Sequence, residues 1–443
     1  MKISYMALGC KVNLYESVAI VNEFISKGFE LAEFDDVCDV YLINTCTVTQ
    51  TSDSKSKKMI RQAIRRNSNA IICVMGCYSQ LNSEEVKSIE GVNIVCGTSN
   101  RKLIVPTALK MLETNDRSFV NLTQSYDQIC EYEDLSLDHY DNKTRGFVKV
   151  QDGCENFCSY CAIPYSRGRF RSRNIDSIVK EIQILTNNGM REIVLTGINT
   201  GAYGKDKNLS LAYLLERIVL SVRNLGRLRI SSIETTEITE ELLDVMMHYK
   251  EHFCMHLHIP IQGGSDEILK KMNRKYDISY YQEKLKLIRS YFPLINITAD
   301  IMVGFNGEDS DLFNKAYKFI DSCKYGETHI FPYSPRPNTK AYLESQKIKF
   351  SDAVNDFTKK LRVNDLLSLN EINALEYRKK FVGMIVEVIV EKIENGIAFG
   401  HSSNYLEVKF PVEDALENEL VYVLITKAGY PISEGVEKNV IKK

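Results

Sequence analysis

At 443 residues, 44% hydrophobic and 26% charged, the chain has the composition of an ordinary globular protein with room for two or three domains. A formal net charge of −2 excludes a uniformly polycationic nucleic-acid binder, so any surface for nucleic acid must be a local patch. The 12 cysteines are spread thinly, with no leader-like segment ahead of them and no apolar span suited to a bilayer. That pattern predicts a cytoplasmic protein without a membrane partner, its thiols kept reduced for metal rather than paired as disulfides.

Over residues 1–113, β-prone runs at Lys2–Leu8, Val40–Asn44, Ala70–Met75 and Val92–Val95 alternate with helical patterns. One such helix is Ser17–Lys27, where Val18, Val21, Phe24 and Ile25 share a face and Gly28 is the expected C-cap. Alternation of this kind predicts a mostly parallel sheet whose strand ends share one ligand-binding edge. Gly9-Cys10, Thr45-Cys46 and Gly76-Cys77 fall at three such ends, so these scattered cysteines are expected to converge. Cys96 ends a fourth run and is a candidate neighbour; Cys73 reads as core. Cys38, Cys130, Cys254 and Cys323 read as small buried or half-buried hydrophobes.

The polar stretch from Glu113 to Arg145 reads as a linker. A second β/α series follows, over residues 140–370, with strands at Phe147–Val150, Glu192–Leu195, Arg227–Ile230, Met255–Ile259, Ile297–Val303 and Thr328–Phe331. Six units fall short of the eight of a closed barrel and predict an open, partial (β/α)6 barrel. After a charged helix over Asp352–Tyr377, alternating runs at Met384–Val390, Ile397–Gly400, Tyr405–Phe410 and Leu420–Thr426 predict a small β-barrel over 376–443. The fold class is therefore α/β, with a parallel α/β domain, a partial barrel and a separable β module.

Cys154, Cys158 and Cys161 form a CxxxCxxC after the first barrel strand, in a loop at the end of the barrel where catalytic residues gather. A zinc site would need a fourth ligand, and His256 and His258 read as pointing to opposite faces of their strand. Three thiolates suit an iron–sulfur cube that keeps one iron open to a non-protein ligand. Tyr160, beside Cys161, offers a ring on which an adenine can stack. An open iron beside an adenine shelf suits S-adenosylmethionine, whose amino and carboxylate groups can chelate it.

The run Gly153-Cys154-Glu155-Asn156-Phe157-Cys158-Ser159-Tyr160-Cys161 resembles the signature of the radical S-adenosylmethionine superfamily. Thr196–Asn199, Gln262–Ser265 and Gly304–Glu308 resemble its cofactor loops. Leu8–Asn13, Asn44–Thr49, Gly76–Tyr78, Arg167–Arg173 and Phe331–Pro337 extend the likeness across nearly the whole chain, which is similar to the methylthiotransferases. Gly-Cys-Lys-Val-Asn followed by Tyr15-Glu16-Ser17 looks most like the MtaB branch, which works on N6-threonylcarbamoyladenosine at position 37 of tRNA. Gly263, Asn306 and Asn338 depart from the pattern, at places where the family usually has Ser, Pro and Gly.

The resemblance implies an enzyme with two 4Fe–4S clusters, one on Cys154, Cys158 and Cys161 and one on Cys10, Cys46 and Cys77. Tyr160, Gly197, Asn199, Glu234, Gln262 and Gly304 are the implied S-adenosylmethionine contacts, although Glu234 reads equally well as a helix cap. It further implies a C-terminal TRAM domain that binds RNA, the anticodon stem-loop of tRNA as partner, a reductant protein such as flavodoxin or ferredoxin, and a sulfur donor. Alternative readings are methylthiolation of isopentenyladenosine or of a ribosomal-protein aspartate, and, in another class, a non-catalytic iron–sulfur RNA-binding regulator. Two basic runs are candidate phosphate contacts: Lys55, Lys57, Lys58, Arg61, Arg65 and Arg66 on one helix, and Arg167, Arg169, Arg171 and Arg173 after the barrel cysteines. The C-terminal module is not visibly basic, because Arg378, Lys379 and Lys380 are offset by Glu413, Asp414, Glu417 and Glu419. Met246-Met247 reads as core.

Overall fold

Apolar β-branched runs such as Ile71–Gly76 are buried along their whole length, as strands covered on both faces must be. The computed structural model describes residues 1–135, 137, 144–347 and 354–438. Six parallel strands form the N-terminal sheet in the spatial order Glu30–Leu31, Lys2–Ala7, Val40–Thr45, Ile71–Gly76, Ile94–Val95 and Val120–Asn121. Val120–Asn121 corrects the linker reading of 113–145: a two-residue strand leaves no periodicity in the sequence, yet it completes the sheet edge.

In the centre, Arg145–Lys149, Glu192–Thr196 and Arg227–Ile230 form one parallel sheet, and His256–His258, Asn296–Val303 and Glu327–Pro332 form another. The bridges Leu228↔Phe253 and Ser232↔His258 join them into one six-strand arc. No pairing closes the first strand on the last among the described residues, so the open partial barrel stands. Helices predicted between the strands are present, for example Ile175–Asn187 and Leu211–Ser221. The long helix Asp356–Lys379 leads to a closed barrel of Ile385–Glu394, Ile397–Ser402, Glu407–Pro411, Leu420–Lys427 and Ile432–Lys438. Its last strand was not predicted, because ISEGVEK carries charge and a glycine where a strand signal needs apolar residues. The expected domain ends at 140 and 443, and the expected helix start at Asp352, lie outside the described residues.

The small barrel is seated against the base of the central one rather than tethered beside it. Arg227 Nη2 donates to His401 O at 2.9 Å and Arg229 Nη1 to Ser403 O at 3.2 Å. Both guanidiniums also grip the fully buried Glu192, each through Nε at 2.7 Å. Burial alone would raise the Glu192 pKa, but Arg229 and Arg227 outweigh it and bring the carboxyl down to about 2. Of the other residues read as core, Met246 is buried while Met247 is 37% exposed. Cys38, Cys73, Cys254 and Cys323 are buried as expected, whereas Cys130 is exposed, in a loop that offers it no cover.

Glu192→Gln leaves two buried guanidiniums undercompensated and is expected to cost about 3–5 kcal/mol in chemical denaturation. Because the carboxyl is held below 4.5, its contribution is full above that pH and is lost as pH falls toward about 2. The variant should therefore show a shallower acid-side loss of stability than the parent; identical acid slopes would show that Glu192 does not carry this linkage.

Candidate active site between two cysteine triads

Strand register gathers the N-terminal triad. Ala7 pairs with Asn44, and Thr45 with Gly76, so the three chain ends leave the sheet side by side. Cys10 is the N-cap of the helix Lys11–Ser26, which starts six residues before the expected Ser17, and Cys77 opens the short helix Cys77–Leu81. Two glycines make the approach possible. Gly9, at φ +99°, sits where a β-carbon would lie 2.7 Å from Cys46 Sγ, and Gly76, at φ +107°, where one would lie 2.3 Å from Asn44 Oδ1. Burial, then the neighbouring Cys77 and Cys10, push the Cys46 thiol up to about 12. Cys96 is instead core, its thiol donating to Ser99 O at 3.0 Å.

The barrel triad lies in the loop after strand Arg145–Lys149. Cys154, Cys158 and Cys161 line a cavity of about 160 Å³ together with Tyr160, Asn199, Glu234, Gln262 and Arg274. Burial and then Cys158 raise the Cys154 thiol to about 11, and the same two causes raise Cys161 further. Glu234 is a helix cap and also lines the cavity. It accepts Thr235 N at 3.1 Å as a cap and Arg274 Nη2 at 2.7 Å inside the cavity. Gly197 and Gly304 stand behind the wall: Gly197 packs on Gln151, whose Oε1 receives Asn199 N at 2.8 Å, and Gly304 N donates to Glu308 Oε1 at 3.0 Å.

A larger cavity, about 370 Å³, opens between the domains. Thr47, Val48 and Thr49, which follow Cys46, form one side; Tyr160, Cys161, Gln262, Asp300, Met302 and Phe331 form much of the other. Arg336 pins the two sides, donating from Nη2 to Thr47 Oγ1 at 3.0 Å and Asp53 Oδ2 at 2.5 Å. Deeper in the lumen is a third cavity of about 240 Å³. The order along one strand fixes its depth: Thr298 lines this cavity, while Asp300 and Met302 line the one above. His256 and His258 both reach Thr298 Oγ1 at 2.9 Å, which corrects the opposite-face reading, since residues two apart on a strand share a face. Burial, then Arg229 and His258, hold His256 well below the ordinary imidazole range.

The arginine run is the largest correction at the site. Arg167, Arg171 and Arg173 are buried and only Arg169 is exposed. Arg173 pairs with Asp134 and Glu181, each at 2.7 Å. Arg167 Nε meets Cys77 Sγ at 3.3 Å, its Nη2 meets Asn13 Oδ1 at 2.7 Å, and Nη1 donates to Glu16 at 2.8 Å and Asp152 at 3.1 Å. Burial would raise Glu16, but Arg101, Arg167 and Lys149 hold its carboxyl well below the usual range. Arg274 plays a parallel part at the other triad, with Nη1 3.5 Å from Cys158 Sγ and from Tyr160 Oη. Neither arginine's thiol partner was legible, because the two groups are remote in sequence.

The other basic run keeps its surface character. On the helix Gln50–Arg66, Lys57 pairs with Glu85 and Arg66 with Asp35, while Lys55, Lys58, Arg61 and Arg65 are exposed. Spacings of three and four place those four on one face. Two departures from the family pattern have local accounts. Asn338 takes the glycine-like φ of +67°, which asparagine tolerates, and Asn306 Nδ2 bonds Ala341 O at 2.7 Å.

Residues 148–320 match the Radical SAM superfamily, and residues 2–97 match the Uncharacterized protein family UPF0004. The chain is 39% identical over 439 residues to the threonylcarbamoyladenosine tRNA methylthiotransferase MtaB of Bacillus subtilis, covering 98% of this chain and 95% of that one. It is 33% identical to the MtaB of Aquifex aeolicus, covering 92% and 96%. The chain belongs to the tRNA methylthiotransferase family. A tRNA-2-methylthio-N(6)-dimethylallyladenosine synthase of Sulfurihydrogenibium is also 33% identical, over 89% of each chain. Among solved structures, the radical S-adenosylmethionine methyltransferase TsrM of Kitasatospora setae superposes with a TM-score of 0.61 at 15% identity, over 77% of both chains, a likeness of fold.

A methylthiotransferase of the radical superfamily uses S-adenosylmethionine and a 4Fe–4S cluster. The first cavity fits that pair: three thiols and no fourth cysteine or histidine line it, beside an aromatic ring and polar groups. No helix among the described residues is long and apolar enough to cross a membrane.

Arg167→Met removes the one cation that touches Glu16, Asp152, Asn13 and Cys77 together, leaving buried carboxylates short of a partner. The expected loss is about 3–5 kcal/mol in denaturation of the holoprotein. Parental stability in this variant would show that the domains are held together by other contacts.

Proposed function

We propose that this methylthiotransferase modifies C2 of N6-threonylcarbamoyladenosine at position 37 of tRNA. The observation that carries the reading is the 370 Å³ cavity, which has the loop after Cys46 on one side and Cys161 with Tyr160 on the other. An adenine held there would face both cysteine triads at once. The identity of 39% to an MtaB over nearly the full chain supports the threonylcarbamoyl substrate over the isopentenyl one, and relatives that are enzymes leave the regulator reading without support.

Cys154, Cys158 and Cys161 hold the first 4Fe–4S cluster in this reading, and Cys10, Cys46 and Cys77 a second. Together with S-adenosylmethionine, these groups supply the homolytic cleavage that activates the inert C2 position, the sulfur and the methyl group. The chain's own work is positional. Tyr160 offers a face for the cofactor adenine, with Asn199, Glu234 and Gln262 around it and Gly197 and Gly304 shaping the loops behind. Arg274 locks Tyr160, Glu234 and the Cys158 loop into one wall. Arg336 ties the seam between the domains beside the 370 Å³ cavity. Lys55, Lys58, Arg61 and Arg65 extend from that seam as a track for the phosphates of an anticodon stem-loop. A flavodoxin- or ferredoxin-like reductant, a sulfur donor and a cytoplasmic setting complete the proposal.

Mass spectrometry of tRNA nucleosides from a strain lacking the protein tests substrate and reaction together. The 2-methylthio derivative of threonylcarbamoyladenosine should vanish and its unmethylthiolated precursor accumulate; an unchanged nucleoside profile would refute the reading.

The two triads are separable by experiment. Anaerobically reconstituted protein should carry about eight irons per chain, as two cubes require. Cys158→Ala should abolish formation of 5′-deoxyadenosine, whereas folded Cys46→Ala should still form it and fail to methylthiolate. Methylthiolation by folded Cys46→Ala would exclude the N-terminal triad as the sulfur-delivering site.

A further inference from the structure

Overall similarity does not say which residues read the group on N6, because relatives named for a threonylcarbamoyl and for a dimethylallyl substrate both align over most of the chain. The third cavity does carry that information. On a purine, N6 lies at the far end from the glycosidic bond, so a base entering from the RNA side brings its N6 substituent in first. Below the base-sized cavity lies the 240 Å³ space whose walls include Lys11, Arg229, His256, His258 and His329. Such a lining is wrong for an apolar dimethylallyl group and right for an anion.

Two of these groups await a partner. Lys11 makes no ion pair or side-chain hydrogen bond among the described residues, although it stands beside Arg229 and the histidines. His256 is 7% exposed, and its Nδ1 has no hydrogen-bond partner. The remaining charges are already engaged. Arg229 holds Glu192 at 2.7 Å and lies 4.6 Å from the Tyr405 ring, Glu327 pairs with Arg378 at 3.2 Å, and Asp300 lies 3.3 Å from His258. The carboxylates near the cavity are thus partnered, and the cation left without a partner is Lys11.

The geometry points to Lys11 as the specificity-determining residue that receives the carboxylate of the threonyl group, with the lumen histidines hydrogen-bonding the carbamoyl arm. This rests on the reading of the substrate given above and names the part of the site that selects it. Lys11 is supplied by the N-terminal domain, immediately after Cys10. The residue that would recognise the substituent is therefore covalently next to one proposed to hold the sulfur-delivering cluster.

The test is binding of anticodon stem-loop RNAs to the anaerobically reconstituted full-length protein. The RNAs carry at position 37 threonylcarbamoyladenosine, its threonine methyl ester, or dimethylallyladenosine. The parent protein should bind the acid about ten-fold or more tightly than the ester, the worth of a charge-assisted hydrogen bond. Lys11→Met should lose most of that gap, and Lys11→Arg should keep most of it. A second measurement needs no variant: the acid RNA should protect Lys11 from acylation, read by peptide mass spectrometry, more than the ester RNA does. An acid–ester gap absent from the parent, a gap unchanged in folded Lys11→Met, or equal protection by both RNAs would overturn the assignment. Methylthiolation of the acid RNA without a gap refutes Lys11 alone, whereas methylthiolation of only the dimethylallyl RNA refutes the substrate reading itself.

Discussion

A single buried guanidinium ties the molecule together. Arg167 belongs to the central barrel, yet four of its five hydrogen bonds end on Asn13, Glu16 and Cys77 of the N-terminal domain. Glu16 in turn accepts Lys149 at 2.7 Å and pairs with Arg101, so cations and carboxylates alternate across the seam. Removing charges like these from water is expensive, and only mutual pairing offsets the cost. That makes the seam specific: the domains have one relative placement in which every charge finds its counterpart. The distance between the two cysteine triads, and therefore the cavity between them, is set by this pairing.

Once the seam is fixed, the three cavities form a depth series. Cysteines and Tyr160 lie toward the carboxyl ends of the barrel strands, the inter-domain cavity next to them, and the polar lumen below. The side-chain period of two along a strand builds this series, because Thr298, Asp300 and Met302 occupy successive inward positions. Each domain supplies part of it: Lys11 and Thr47–Thr49 come from the first, Tyr405 from the last.

Much of the architecture was legible in the sequence. β/α alternation, the six barrel units and the convergence of Cys10, Cys46 and Cys77 follow from periodicity and from the rule that parallel strands share a ligand-binding edge. What escaped was whatever depends on remote partners. Arg171 and Arg173 read as phosphate contacts until Asp152, Asp134 and Glu181 are seen to claim them. His256 and His258 were misplaced by a parity error, and Val120–Asn121 and Ile432–Lys438 lack the apolar alternation that marks a strand. Arg274 carries no local signal beyond its charge, Arg336 lies in a motif that does not name its partners, and only the fold shows that each closes a wall.

Tyr405 gives the C-terminal barrel a meaning its sequence does not suggest. The ring stacks on His256 at 4.9 Å between centroids, receives Arg145 Nη1 at its hydroxyl at 3.1 Å, and lines the deepest cavity. A merely tethered module would be interchangeable, like a handle. Here the small barrel is also the floor of the deepest cavity. Grafting it from another family member would change the shape of that cavity, so the small barrel and the interior of the central one cannot be altered independently.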